Sequence, residues 1–407
     1  MKQRIFFLPL SSWALYDLAN TLFSAVVLTV YFPLYLTSLT GSNSVLGAVT
    51  TGSMILAGIM TPWAGALTDR TGKTKLYLLY STVCCTGSLA VLSVFRTPLP
   101  LLTAFVAACF FYHASLVFYN ALLPCAAPPE KQGFASGLGT GLGYLGVVLA
   151  LPIMNQIDKA YGVSAVFLAC AFWFLILSLP LFLFVPERAV SKPQRPAAGD
   201  FRREWSAVFA SVGSLPQSPK LMFFLAGNFF LVDAVNSVIF WLSVYIRDIF
   251  NPPQDQLIFV LTGLNVSAFL SGLVSGFLCD RFGSLKILIL SGVSLLATLI
   301  GLTQPLSFPV FTAVCFAGGS FALAGTWTAG RKAVMELSPA EKTGEYFGLY
   351  GLTTKISVGG SFLYSLASDA FGMRQGLGVL IVSAALGTVL LVRSALCGRC
   401  SQGNLRL

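Results

Sequence analysis

Charged side chains are rare in this chain. Asp, Glu, Lys and Arg together make up 10% of 407 residues, and histidine occurs once, at His113. A soluble domain carries about 25% charged residues on average, so a soluble globular fold is excluded. Hydrolytic, redox and metal chemistries gather His, Cys or Ser in clusters; none is visible here, and the chain is read as a non-enzyme with no cofactor and no metal site. No phosphate-cradling glycine loop appears either, because the glycines of Ser136–Gly146 stand inside an apolar run. That excludes an ATP-driven pump. The nine cysteines are an odd count, and Cys84, Cys85, Cys109 and Cys170 lie in apolar runs, where they read as small buried hydrophobes. Cys397 and Cys400 form a lone C-x-x-C that lacks the further ligands of a four-coordinate zinc site.

What is abundant is apolar: 56% of the residues are hydrophobic and the mean hydropathy is +0.80. A bilayer core takes about 20 residues per helix, and by this measure the apolar runs number twelve. The chain is an all-α polytopic membrane protein. Lys2 and Arg4 resemble the start of a signal peptide, but no small-residue cleavage site follows, so the segment is read as uncleaved.

Span 1 lies within Phe6–Leu39, with spans 2 to 6 near Val45–Leu67, Leu76–Phe95, Leu99–Leu123, Phe134–Ile157 and Ser164–Val185. Span 5 carries Gly137, Gly139, Gly141, Gly143 and Gly146, small residues that let helices approach closely in lipid. Pro186–Pro219 is polar and proline-bearing and reads as a linker; within it Phe201–Val212 has the pattern of a short surface helix with Trp205 and Phe209 toward the membrane. Spans 7 to 12 follow near Leu221–Tyr245, Leu257–Leu278, Ile287–Thr303, Val310–Ala329, Tyr346–Ala367 and Gly376–Leu396. The domains are thus residues 1–185, a linker at 186–219, and residues 220–407.

The net charge of +10 sits in short loops, where it marks topology rather than nucleic-acid binding. Twenty Lys and Arg fall on one side of the spans and four (Arg96, Lys159, Arg247, Arg374) on the other. This asymmetry places both termini in the cytoplasm. Lys355 alone lies within a span.

The chain contains its own pattern twice. Gly65–Lys75 (GALTDRTGKTK) returns as Gly276–Lys286 (GFLCDRFGSLK), so that Asp69, Arg70, Gly72 and Lys75 recur as Asp280, Arg281, Gly283 and Lys286, each 211 residues on. Pro128–Gly133 (PPEKQG) matches Pro339–Gly344 (PAEKTG) at the same offset, and Asp17-x-x-Asn20 corresponds to Asp233-x-x-Asn236. Two parallel six-helix repeats with a basic linker resemble the major facilitator superfamily, and the two hinges resemble its signature loop. Trp13–Asn20, Ser115–Pro124, Ser136–Gly146, the region of Asp233 and Glu345–Lys355 further resemble the vacuole-effluxer branch, named for a fungal vacuolar amino-acid exporter. The resemblance implies export of a small-molecule substrate by a rocking two-domain transporter in the lipid bilayer, with amino acids as precedent. The short loops and compact linker indicate a bacterial member, a monomer in the cytoplasmic (inner) membrane.

An ionisable group inside a span costs about 2.5–3.5 kcal/mol on insertion scales, which makes Asp17, Asp233 and Lys355 the first candidates. The superfamily lines its cavity with spans 1, 4, 7 and 10, flanked by 2, 5, 8 and 11, which brings Lys355 within reach of a carboxylate on span 7 or span 1. Such a pair takes the ammonium and carboxylate of a zwitterion, or exchanges a proton with it; the plainer reading is a permanently satisfied pair. Asp17 follows Trp13 and Tyr16, read as interfacial, and snorkelling or capping stays open for it. Asn20 and Asn236 share helix faces with their carboxylates and bind either substrate or a neighbouring helix. Tyr112, His113, Tyr119 and Asn120 give span 4 a polar side; His113 titrates near neutrality and is either a proton site or a core histidine. Tyr144, which aligns with Lys355 in the repeat, and Trp327 are candidate cavity walls.

Gly65, Asp69, Arg70 and Gly72, with Asp280 and Arg281, are read as gating residues that hold the cytoplasmic ends closed. Arg331 and Glu345 read as gate or loop salt bridges. The expected function is secondary active transport by alternating access, proton-coupled, exporting small polar solutes such as amino acids. Two other readings stand beside it: a carrier of amphipathic compounds (drug, siderophore or lipid), and a transport-dead receptor or scaffold acting through the linker.

Overall fold

The computed structural model describes residues 2–40, 43–187, 206, 209–210, 212–357 and 359–403. Most of the expected linker, with Arg188, Lys192, Arg195, Arg202, Arg203 and Trp205, lies outside the described residues, as do Arg406 and the side chain of Cys400. Among the described residues every regular element is helical.

The chain divides into two compact units. Met1–Val208 and Pro339–Leu352 form the first; Phe209–Ser338 and Thr353–Leu407 form the second. The first begins with α1 (Lys2–Phe23), which runs through a π-helical stretch at Ser24–Tyr31 into α2 (Phe32–Thr40). There follow α3 (Asn43–Thr71), α4 (Thr74–Val94), α5 (Pro98–Ala121), α6 (Leu123–Ala126), α7 (Gln132–Tyr161) and α8 (Val163–Phe184). The second unit holds α9 (Pro219–Phe250), α10 (Gln254–Phe282), α11 (Ser284–Thr303), α12 (Phe308–Val314), a π stretch at Cys315–Gly319 and α13 (Ser320–Leu337). The division falls within α14 (Thr343–Ile356); α15 (Gly359–Phe371) and α16 (Met373–Gly403) complete the second unit.

Ten stretches among the described residues are long and apolar enough to cross a bilayer. Of the two other expected spans, span 2 lies within α3, which at 29 residues has the length to cross. Span 11 was expected to run unbroken over Tyr346–Ala367; instead α14 stops at Ile356 and α15 starts at Gly359. Glycine costs a helix interior about 1 kcal/mol relative to alanine. Gly359 and Gly360 stand together here, and side chains of α9 engage the backbone on both sides of the break.

Within the first unit α1 packs on α7 and α8, α3 on α5, and α4 on both α5 and α8; in the second, α9 packs on α15 and α16, α10 on α13, and α11 on both α13 and α16. The glycine stripe of α7 admits α1. A Cβ on Gly139 would stand 2.8 Å from an Asp17 carboxylate oxygen, while Thr21 fills the space over Gly143 and Leu18 that over Gly146. In the second unit Gly227 of α9 and Gly387 of α16 bring two backbones together in the same way. Trp13 and Tyr16, expected at the membrane interface, are wholly buried. Tyr119 stacks on both, with centroids 4.2 Å from Trp13 and 5.2 Å from Tyr16, and the Trp13 indole N–H donates to the Tyr119 carbonyl at 3.0 Å. Large side chains such as Leu183, Phe240 and Phe259 are exposed instead, as a lipid-facing surface requires.

Candidate functional site

Polar chemistry inside the helices collects at three carboxylates. The first, Asp69, ends α3 one turn before Gly72, whose positive φ of 67° makes the tight turn into α4. Its two oxygens accept the backbone N–H groups of Gly344 at 2.9 Å and Glu345 at 2.7 Å, at the start of α14. Both amides lack intrahelical partners, and a carboxylate there also meets the positive end of the helix dipole. The contact depends on glycine: a Cβ on Gly65 would fall on the Gly344 carbonyl, and one on Gly344 would strike Thr68 and Gly65. The carboxylate of Glu345, itself buried, lies 3.7 Å from the Lys342 ammonium. The repeat-related Asp280 has another partner. It binds the ammonium of Lys332 at 2.6 Å, and Lys332 also donates to the Cys279 carbonyl at 3.3 Å and approaches Glu336 to 3.7 Å. Gly283 makes the matching turn, at φ 94°. Arg281 is exposed, its guanidinium 5.4 Å from the Phe282 ring centre, and the Nε–H of buried Arg331 donates to the Trp327 carbonyl at 3.5 Å. The four hinge charges therefore do not share one geometry; Arg70 is half-buried beside Asp69 in sequence.

The second carboxylate, Asp17, is 7% exposed. It faces Gly139, which the Tyr119 hydroxyl and the Trp13 ring also approach. Three residues on, Asn20 is 2% exposed, and neither polar atom of its amide has a hydrogen-bond partner among the described residues. His113 is buried with its ring 4.8 Å from that of Tyr112, and the amide oxygen of Asn120 is buried as well. Tyr144 and Trp327 are half-buried, on α7 and α13.

The third, Asp233, is 5% exposed on α9. Its carboxylate accepts the Gly360 N–H at 2.9 Å and the Ser383 hydroxyl at 3.1 Å. Asn236 donates to the Ser357 carbonyl at 3.4 Å, and the Trp241 indole N–H donates to the Ser361 hydroxyl at 2.9 Å. One face of α9 thus holds the broken helix on both sides of its break. Lys355 occupies the last turn of α14, just before that break. Sequence reading missed Ser357, Gly360 and Ser383. It also passed over Asn228, which is fully buried with both amide atoms unmatched among the described residues; the available signal was an amide in an apolar run.

The family model for the Major Facilitator Superfamily matches residues 18–361, with a second match over 222–397. The chain is 25% identical over 410 residues to an uncharacterised MFS-type transporter, YxiO, of Bacillus subtilis, covering 94% of this chain and 93% of that one. It is 28% identical over 318 residues to the multidrug resistance protein MdtG of Enterobacter lignolyticus, covering 73% and 69%. Among solved structures it superimposes on the human organic anion transporter MFSD10 with a TM-score of 0.74 at 16% identity, covering 96% of this chain and 100% of the other. For the transporter FucP the TM-score is 0.73 at 13% identity, covering 96% and 98%. With the internal repeat, the paired hinges and a family model that spans most of its length, this multi-pass membrane protein belongs to the Major Facilitator Superfamily of transporters.

Proposed function

We propose that this transporter is a secondary carrier that exports small polar solutes such as amino acids, coupled to protons, by alternating access between residues 1–185 and 220–407. The observation that carries the reading is Asn20: an amide buried in an apolar helix with neither polar atom matched, three residues from the buried carboxylate of Asp17. An unmatched buried polar group costs about 1–3 kcal/mol, and a polar solute recovers that energy where an apolar one does not. Asp17 suits the ammonium of such a solute. Asp233 and Asn236 on the repeat-related helix, and Lys355 on α14, are further candidate polar groups, with His113, Tyr119, Asn120, Tyr144 and Trp327 as candidate wall residues. The sequence likeness to the vacuole-effluxer branch supports amino acids, and the loop charges support a bacterial inner-membrane protein with both termini cytoplasmic. The protein is proposed to act as a monomer.

Counterflow in proteoliposomes over a panel of labelled amino acids, with and without a pH gradient, tests this for wild type, Asn20→Ala and Asp233→Asn. Uptake by wild type that both variants lose is the expected result, and its dependence on the gradient adds the proton. Folded wild-type protein with no counterflow of any amino acid refutes it. The second reading, amphipathic compounds, draws on the MdtG relatives, whose name is multidrug resistance protein. A lipophilic cation transported by wild type in the same assay would favour it.

A further inference from the structure

A groove on the first unit lies apart from all three carboxylates. α3 and α4 meet only near the turn that joins them and then diverge, while α5 packs against both and closes the back. The space between them measures about 320 Å³. Aromatic rings wall it: Trp63 from α3, Tyr77 and Tyr80 from α4, Phe110, Phe111 and Phe118 from α5. The floor is kept low by Ala64 and Ala114. On either side the outer surface is apolar and exposed, with Ile55 and Ile59 on α3 and Leu79 and Val83 on α4, so the groove opens toward lipid.

Its position along the bilayer is equally informative. The Tyr77 N–H donates to the Lys73 carbonyl at 3.1 Å, so the groove begins one turn from the joining loop. At 1.5 Å per residue, Tyr77 and Tyr80 stand about 6–10 Å deeper than Lys73. Lys73 is exposed at the mouth. Its neighbour Lys75 adds a second positive charge, although its ammonium is engaged by the carbonyls of Phe182 at 2.8 Å and Val185 at 2.7 Å. An apolar slot of this volume, at the low end for ligand sites of about 300–1,000 Å³, holds part of one hydrocarbon chain and leaves a headgroup outside. A cation at headgroup depth above an acyl-sized slot matches an anionic amphiphile, and the molecule of that chemistry always at hand is a membrane lipid.

We propose that the groove binds one phospholipid of the adjoining leaflet, with an acyl chain between α3 and α4 and an anionic headgroup at Lys73. The site is separate from the transport reading and stands or falls independently of it. The test is native mass spectrometry of the full chain released from detergent, with phosphatidylglycerol or phosphatidylcholine added. Wild type should retain one phosphatidylglycerol in preference to phosphatidylcholine. Lys73→Gln should lower that preference about fivefold, the equivalent of about 1 kcal/mol for one cation near a headgroup. Ala114→Phe, which fills the slot, should abolish retention of either lipid. A second measurement needs no filled variant: lipids brominated along the acyl chain should quench wild-type tryptophan fluorescence more than that of Trp63→Phe. Equal quenching of the two proteins overturns the proposal, as does equal retention of both lipids by wild type. Retention that survives Ala114→Phe overturns it too, as does a dimer in place of a lipid-bound monomer, since a second copy would then be the occupant.

Discussion

Asp233 accepts the backbone N–H of Gly360 at 2.9 Å, 127 residues further along the chain, and with it caps the first turn of α15. A Cβ on Gly360 would strike the carboxylate and push it off this amide. The carboxylate therefore does structural work at a break in a membrane helix, and the proposed function gives it a second role toward the solute. The two roles separate by substitution. Asp233→Asn keeps an oxygen for the amide and loses only the charge, which is worth at most about 2 kcal/mol at a helix N-terminus. Asp233→Ala strands the Gly360 N–H, at about 1–3 kcal/mol, while the Ser383 hydroxyl keeps the Phe230 carbonyl at 2.9 Å. Thermal unfolding in detergent should rank wild type, Asn, Ala in falling stability, and counterflow should fall at least tenfold already in Asn. An Asn variant that transports like wild type would make Asp233 a cap and nothing more.

Asp69→Asn should slow turnover and leave binding alone. One oxygen then serves the amides of Gly344 and Glu345, and losing the charge at the α14 terminus costs up to about 2 kcal/mol. On an equilibrium in which α14 is held or released by α3, that is a shift of about thirtyfold. Maximal transport rate should drop by that order, with the substrate Kd from equilibrium binding unchanged within about twofold. Loss of binding by the folded variant would remove Asp69 from the gating role.

Two glycines of similar sequence context should respond oppositely to alanine. At Gly65 the added Cβ meets the Gly344 carbonyl, a backbone atom that cannot swing aside, and overpacking of this kind costs about 1–3 kcal/mol. At Gly87, on α4, nothing lies within 4 Å of the added atom, and alanine gains up to about 1 kcal/mol in a helix interior. Unfolding midpoints should therefore move down for Gly65→Ala and up for Gly87→Ala. A shift of the same sign in both would contradict the close approach of α3 and α14.

Much of this arrangement is legible in the sequence because two physical signals are strong there. Apolar runs of membrane length set the helices, and the glycine spacing of α7 announces the seat of α1. Asp17 and Asp233 stand out simply as charge inside such runs. What escapes the sequence is long-range. Trp13 next to a span start reads as interfacial, and only a ring 106 positions away, Tyr119, makes it core. The Gly359–Gly360 pair falls inside the expected span 11, and nothing local in it announces a helix break capped from outside. The repeat itself misleads at the hinges. Lys332, set back by the 211-residue offset, falls on Ala121, so the first unit has no ammonium at that position to offer Asp69, and the carboxylate turns to backbone amides.

That difference makes the Asp280–Lys332 pair a test of its own. Both side chains are nearly out of water, at 12% and 6% exposed, and 2.6 Å apart. Removing one partner of a buried pair costs about 3–5 kcal/mol, because the other is left charged and alone, whereas replacing both by apolar residues is often close to neutral. Lys332→Met should destabilise the protein strongly, with Glu336 half-exposed and only partly affected at 3.7 Å. Asp280→Leu should do the same. The double variant should lose less than either single, so that the losses fall short of additivity by well over about 1 kcal/mol. Additive losses within about 0.5 kcal/mol would mean that the pair contributes no coupling, and that Asp280, like Asp69, has its main role elsewhere.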